Sequence, residues 1–125
     1  MVKMLRLLIA EDELEMRTML RKTLTHEGYE VETAANGREA LDLLRRDGHG
    51  YDLLITDLRM PEKDGEQLLL EALQLLPNLK VIIISGYSDI EQHLALKKKG
   101  AFEYVIKPFK IPDLLDVIDR ATAVV

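Results

Sequence analysis

Residues 51–65 read YDLLITDLRMPEKDG. Within them, Leu53 to Thr56 is a strand-sized apolar run that leads straight into a carboxylate, Asp57. Near-continuous apolar character is what a strand covered on both faces requires. Three more segments share it: Leu5 to Ala10, Val81 to Ser85 and Phe102 to Ile106. A fifth, Tyr29 to Thr33, sets Tyr29, Val31 and Thr33 against Glu30 and Glu32, the alternation of an edge strand with one wet face.

Helical periodicity fills the intervals. Leu14, Met16, Met19, Leu20 and Leu24 form the apolar stripe of the first helix, with Gly28 as its stop. Asn36 with Glu39, Asp64 with Gln67 and Ser88 with Glu91 each have capping-box spacing. Pro112 suits the first position of the last helix. The fourth helix is expected from Asp89 to Lys99 and the fifth from Pro112 to Thr122.

Five strands alternating with five helices imply an α/β domain, a doubly wound parallel sheet with helices on both faces. The amphipathic second strand belongs at an edge. Of the two common strand orders, 2-1-3-4-5 fits five strands, the flavodoxin-like arrangement.

The 125 residues are expected to form a single domain, residues 1–125, with a core of its own. Apolar residues make up 47% and charged residues 31%, a globular balance. The absence of cysteine excludes disulfides and thiolate chemistry. Val81-Ile82-Ile83-Ile84, among the longest apolar runs, is far too short to span a bilayer, and no secretory h-region follows Met1-Val2-Lys3-Met4. A cytoplasmic protein with no membrane association is the expectation. A net charge of -5 argues against direct nucleic-acid binding and suits a divalent cation.

Ligands of open α/β sheets bind beyond the carboxyl ends of the strands, near the point where strand order reverses. Those ends carry Glu11-Asp12-Glu13, Asp57, Ser85-Gly86 and Lys107-Pro108. Taken singly, each has an ordinary reading: helix-capping carboxylates, a loop aspartate before Leu58-Arg59-Met60-Pro61, a turn, a solvated lysine. Their joint placement at four strand ends is what those readings leave unexplained. Clustered carboxylates repel unless a cation joins them, and Mg²⁺ commonly bridges carboxylates to a phosphate. Lysine and serine would meet phosphoryl oxygens, so the group reads as phosphoryl transfer onto an aspartate.

LLIAEDE, YDLLITDLRMPEKDG, VIIISGYSD and GAFEYVIKPF, in this order and spacing, resemble the response-regulator receiver family of bacterial two-component signalling over nearly the whole chain. DLRMP and GAFEYV are also similar to receivers attached to transcriptional activators of the nitrogen-regulation type. The resemblance implies Asp57 as phosphoacceptor and Mg²⁺ held by Glu11, Asp12, Asp57 and the backbone carbonyl of Arg59, with Asp12 the direct ligand of the acidic pair. It further implies Lys107 as the phosphate-pairing lysine, a cis Lys107-Pro108 peptide, and Ser85 and Tyr104 as the switch pair. A sensor histidine kinase or phosphotransfer protein would be the donor, and a homodimer could form through an output face of helix 4, strand 5 and helix 5. Such a domain is no enzyme; it promotes only its own phosphorylation and dephosphorylation. Glu11 departs from the family's usual aspartate, and the bulky Arg59 and Tyr87 flank the expected phosphate.

Other functions fit less well. A flavodoxin needs small and hydroxyl residues after the first strand, where Glu11-Asp12-Glu13 would repel a phosphate. An aspartate phosphatase commonly carries a second aspartate where Arg59 stands. An inert receiver-like module would not need the full residue set, and nucleotide hydrolysis lacks its Gly-rich loop with Lys-Ser or Lys-Thr. His26, His49 and His93 are expected at the surface, and Lys97-Lys98-Lys99 at the negative end of a helix dipole.

Overall fold

The computed structural model describes residues 4–86 and 89–123. Five strands form one parallel sheet in the order β2-β1-β3-β4-β5. They are β1 (Arg6–Ala10), β2 (Glu30–Ala34), β3 (Leu53–Asp57), β4 (Lys80–Ser85) and β5 (Glu103–Ile106). The helices between and after them are α1 (Leu14–His26), α2 (Gly37–Asp47), α3 (Gly65–Leu75), α4 (Ile90–Lys98) and α5 (Ile111–Thr122). A short 3₁₀ turn over Gly48–Gly50, not expected from the sequence, leads into β3. Among the described residues no helix is long and apolar enough to cross a membrane.

Successive strand residues point to opposite faces, and this divides the core in two. Leu8, Leu54, Val81 and Ile83 pack with Leu41, Leu44, Leu68, Leu69 and Leu96 from α2, α3 and α4. Leu7, Ile9, Leu53, Ile55, Ile82 and Ile84 pack with Leu20, Leu24, Leu114 and Ile118 from α1 and α5. Truncating any of these fully buried leucines would cost about 2–5 kcal/mol. The edge strand keeps the expected alternation, with Glu30 and Glu32 exposed and Val31 and Thr33 half-buried.

Local signals set most helix ends. Asp64 and Gln67 complete a capping box at α3. Gly28 follows α1 at φ +100°, a backbone conformation that favours glycine. Asn36 accepts the Glu39 N–H at 2.8 Å, but Glu39 reaches back to the Ala35 N–H instead of closing the box. Ser88 lies outside the described residues; the cap of α4 is Asp89, which accepts the Glu91 and Gln92 N–H groups. Helix α5 starts one residue early, at Ile111, so that Pro112 takes the second position, where its missing N–H is still no loss. Leu14 does not join the core stripe: it opens α1 at the sheet's rim and is 65% exposed.

Close approach of backbone demands glycine at the start of α3. A Cβ on Gly65 would lie 2.3 Å from the Asp57 carbonyl oxygen and 2.8 Å from the Leu58 Cα. The Gly65 N–H donates to the Leu58 carbonyl at 2.7 Å, so α3 starts directly against the backbone that leaves β3. Gly65→Ala should therefore lower unfolding stability by about 1–3 kcal/mol, the usual cost of overpacking. Urea denaturation followed by circular dichroism checks this, and an unchanged midpoint would mean that the loop yields freely.

Candidate functional site

The parallel ladder continues past the strands into the residues that carry the chemistry. The Glu11 N–H donates to the Ala34 carbonyl at 3.0 Å, the Leu58 N–H to Ile84 at 3.0 Å, and the Lys107 N–H to Ser85 at 2.7 Å. Asp57 pairs in register with Ile84, and Ser85 with Ile106. Glu11, Asp57, Ser85 and Lys107 are thus held at one end of the sheet by backbone hydrogen bonds, with β1 and β3 adjacent and β4 and β5 beyond them. The Thr56 hydroxyl donates to the Asp57 carbonyl at 2.9 Å, satisfying a buried polar group beside the site.

Lys107 Nζ lies 2.8 Å from Asp57 Oδ2 and 3.0 Å from Glu11 Oε1. One ammonium is thus shared by two carboxylates. The Glu11 side chain has no exposed surface, and that of Asp57 is 11% exposed. The second oxygen of Glu11 accepts the Glu13 N–H at 3.1 Å, and the Arg59 N–H approaches Asp57 Oδ1 at 3.4 Å. The Lys107-Pro108 peptide is cis, as the resemblance implied.

Asp12 is exposed and completes the acidic group: one oxygen each from Glu11, Asp12 and Asp57 lie within 4.8 Å of one another. Three carboxylates against one ammonium leave an excess of two negative charges when all are ionised. Burial lifts the Glu11 carboxyl to about 7, further helped by the charge of Asp57 and opposed by hydrogen bonds from Lys107 and the Glu13 N–H. For Lys107, burial acts to lower the ammonium's pKa, but the bonds to Asp57 and Glu11 outweigh it and leave the pKa above the ordinary lysine value. A divalent cation matches the missing charge. The all-oxygen donor set and its spacing fit Mg²⁺, which binds one or two carboxylates directly and keeps several waters.

Of the expected site residues, the structure brings Glu11, Asp12, Asp57 and Lys107 together, with the Arg59 backbone alongside. Ser85 closes β4 and is 1% exposed. Tyr104 lies on β5, 5% exposed, in the core shared by α2, α3 and α4. Tyr87 lies outside the described residues. His26 and His49 are exposed as expected, but His93 is not a plain surface residue: its side chain is 31% exposed and its ring stacks on Tyr104. The reason is tertiary, since β5 brings Tyr104 beneath α4.

Two contributors escaped the sequence reading. Arg17 Nη1 donates to the Glu11 carbonyl at 2.8 Å, tying the first turns of α1 to the loop that bears the acidic pair. Glu103, beside Tyr104, gathers cations from α4 and α5: Lys97 at 3.2 Å and Arg120 at 3.8 Å. Arg17 stands in no motif, and Glu103, although it falls within GAFEYVIKPF, has no role implied there; a charged residue in a helix or strand carries no signal of its partner.

Comparison with known proteins agrees with this geometry. Residues 7–119 match the response regulator receiver domain family. The transcriptional regulator NtrC of Azospirillum brasilense is 37% identical over 117 residues, covering 92% of this chain and 24% of that protein, so the chain spans about a quarter of that relative's length. A response regulator receiver domain protein from Clostridium thermocellum superposes with a TM-score of 0.91 at 32% identity, covering 95% of this chain and 94% of that one. A chain of the CheX-CheY-BeF3-Mg+2 complex from Borrelia burgdorferi superposes at 0.92 with 26% identity, over 96% and 90%. A five-stranded sheet in the order 2-1-3-4-5, with carboxylates and a lysine gathered at its strand ends, thus occurs in a chain that belongs to the response regulator receiver domain family.

Proposed function

We propose that this domain accepts a phosphoryl group on Asp57 from a sensor histidine kinase or phosphotransfer protein, in the cytoplasm, with Mg²⁺ as cofactor. The observation that carries the reading is the Asp57 carboxylate bound to Lys107 at 2.8 Å with Glu11 and Asp12 beside it. One structural neighbour comes from a complex that contains BeF3 and Mg²⁺, which supports the assignment.

In the transfer, an Asp57 carboxylate oxygen forms the new bond to phosphorus as the bond to the donor atom breaks, and the donor keeps that electron pair. Lys107 turns from the carboxylate to a phosphoryl oxygen and offsets its charge. At about 4 Å near a protein surface such a pair interacts by roughly 4 kcal/mol before desolvation. Glu11, Asp12, Asp57 and the Arg59 carbonyl would hold Mg²⁺, which when bound supplies charge neutralisation at the phosphoryl group. The strand ends and Gly65 hold Asp57 in place, so positioning and electrostatics account for the catalysis and no further reactive side chain is needed.

Readout would pass through Ser85 and Tyr104. Negative charge and acceptor oxygens on Asp57 draw the Ser85 hydroxyl inward, and Tyr104 turns into the space vacated. That rearranges the face formed by α4, β5 and α5. Ile90, Leu94 and Ile106, which are 75%, 55% and 42% exposed on these elements, suit a homodimer or a docked partner. Direct nucleic-acid binding is not proposed for this domain.

Three outcomes follow. With Mg²⁺ and a small phosphodonor, intact mass spectrometry should show a single labile phosphoryl adduct that is lost in Asp57→Asn or with chelator; equal labelling of the Asn variant would remove Asp57 from the reaction. Asp12→Ala should weaken Mg²⁺ binding by at least about tenfold, as loss of a metal-site partner does, while Glu13→Ala, at the start of α1, changes it less than about twofold because an exposed charge is screened. Equal losses in a Mg²⁺ titration would mean diffuse attraction in place of ligation. Tyr104→Ala should leave labelling of Asp57 nearly intact yet abolish most of the phosphorylation-dependent change in dimerisation or partner binding, measured by analytical ultracentrifugation.

A further inference from the structure

Helix α4 has little apolar attachment to the domain. Leu96 is its one buried residue among those described, while Ile90 and Leu94 face solvent. A helix with so few buried contacts sits at the low-stability end of a fold, where polar and ring contacts decide its position. Those contacts converge on two neighbouring residues of β5.

The first is Tyr104, whose ring stacks on His93 of α4 with centroids 5.0 Å apart and planes at 19°. The second is Glu103. Its Oε1 accepts the Tyr104 N–H at 3.2 Å and lies 3.4 Å from His93 Nε2 and 3.2 Å from Lys97 Nζ. Its Oε2 lies 3.8 Å from Arg120 Nη1 on α5, and Arg120 is itself paired with Asp116 at 3.2 Å. Burial works against ionisation of Glu103, but the Tyr104 N–H, Lys97 and His93 outweigh it and keep the carboxyl below its ordinary range. The carboxylate therefore stays charged and can anchor both helices.

We infer that His93 is a positioning residue for Tyr104: its ring, steadied by Glu103, couples the orientation of the Tyr104 ring to the placement of α4. Tyr104 cannot turn without leaving the stack, and α4 cannot shift without dragging or uncovering the ring. This rests on the reading of Tyr104 as the switch aromatic, and it adds the element that the ring acts upon. His93 takes no part in the chemistry at Asp57, which lies across β4 from β5.

The test uses the whole chain with ¹³C-labelled tyrosine, the Tyr104 ring signals being assigned through Tyr104→Phe. His93→Leu keeps apolar bulk but no ring, and His93→Phe restores a ring without the nitrogen that faces Glu103. In the unphosphorylated protein, His93→Leu should shift the Tyr104 ring resonances and speed amide exchange in α4 by roughly two- to tenfold, the range expected from loss of one aromatic pair. Labelling of Asp57 by a small phosphodonor should stay within about twofold of the parent rate, and His93→Phe should return ring shifts and exchange towards the parent values. Unchanged Tyr104 resonances and α4 exchange in His93→Leu would overturn the proposal, as would a His93→Phe variant that behaves like the leucine variant. Adding BeF3 with Mg²⁺ separates the two readings. If Tyr104 signals fail to respond in the parent protein, the switch assignment falls, while the measurements without phosphoryl mimic still decide the role of His93.

Discussion

The Lys107 ammonium, set between Asp57 and Glu11 at 2.8 and 3.0 Å, is the interaction on which the rest of this domain depends. Two carboxylates brought this close under cover repel each other, and removing one partner of a buried ion pair costs about 3–5 kcal/mol. A single lysine holds them together but leaves the group short of positive charge. Glu11, the more buried of the two, has its carboxyl lifted to about 7, chiefly by burial and to a lesser degree by the charge of Asp57. The domain thus rests in an arrangement that a divalent cation and a phosphoryl group would each complete, the one through the carboxylates and the other through the lysine.

The sheet makes such an arrangement tolerable. Backbone hydrogen bonds continue past the strands at Glu11, Leu58 and Lys107, and the side chains beneath them are fully buried from Leu7 to Ala10 and from Leu53 to Ile55. Rigid packing on both faces means that the electrostatic conflict at the rim cannot relax by moving the backbone. Gly65 extends this rigidity to α3 by allowing its first turn to touch the Asp57 carbonyl.

The opposite holds at the other side of the domain. Helix α4 is attached by one buried leucine, a ring stack and an ion-pair cluster centred on Glu103, contacts that can be exchanged at modest cost. A signalling domain needs both properties: a rim stiff enough to position an acceptor and a face soft enough for a change in charge at the rim to alter it. A ligand moves such an equilibrium only by its differential affinity for the two states, so the proposed readout requires a face that lies within a few kcal/mol of rearrangement.

Much of this was legible in the residue order. Apolar runs of strand length, their alternation with capped helices, and the amphipathic pattern of residues 29–33 were enough to give a doubly wound sheet with the second strand at an edge, because burial on one or both faces leaves a direct trace in hydropathy; the full order 2-1-3-4-5 came from the common arrangement of five-stranded sheets of this class. The candidate site was legible for a related reason: in this topology the residue after each strand must stand at the rim, so Glu11, Asp57, Ser85 and Lys107 could be grouped without coordinates. Helix starts were less secure: at α4 the cap is Asp89, a residue that the capping-box spacing did not single out. What tertiary structure alone decided were contacts between residues with no motif to join them. Leu14 matches the periodicity of α1 but falls beyond the area the sheet covers, and Arg17 reaches the Glu11 carbonyl through the turn between β1 and α1. His93 and Glu103 look like ordinary polar positions until β5 is laid beside α4, when one becomes the cover of Tyr104 and the other the anchor of two helices. Periodicity records how much of a side chain is covered; which neighbour covers it is set by the crossing of elements in space, and that leaves no mark on the local sequence.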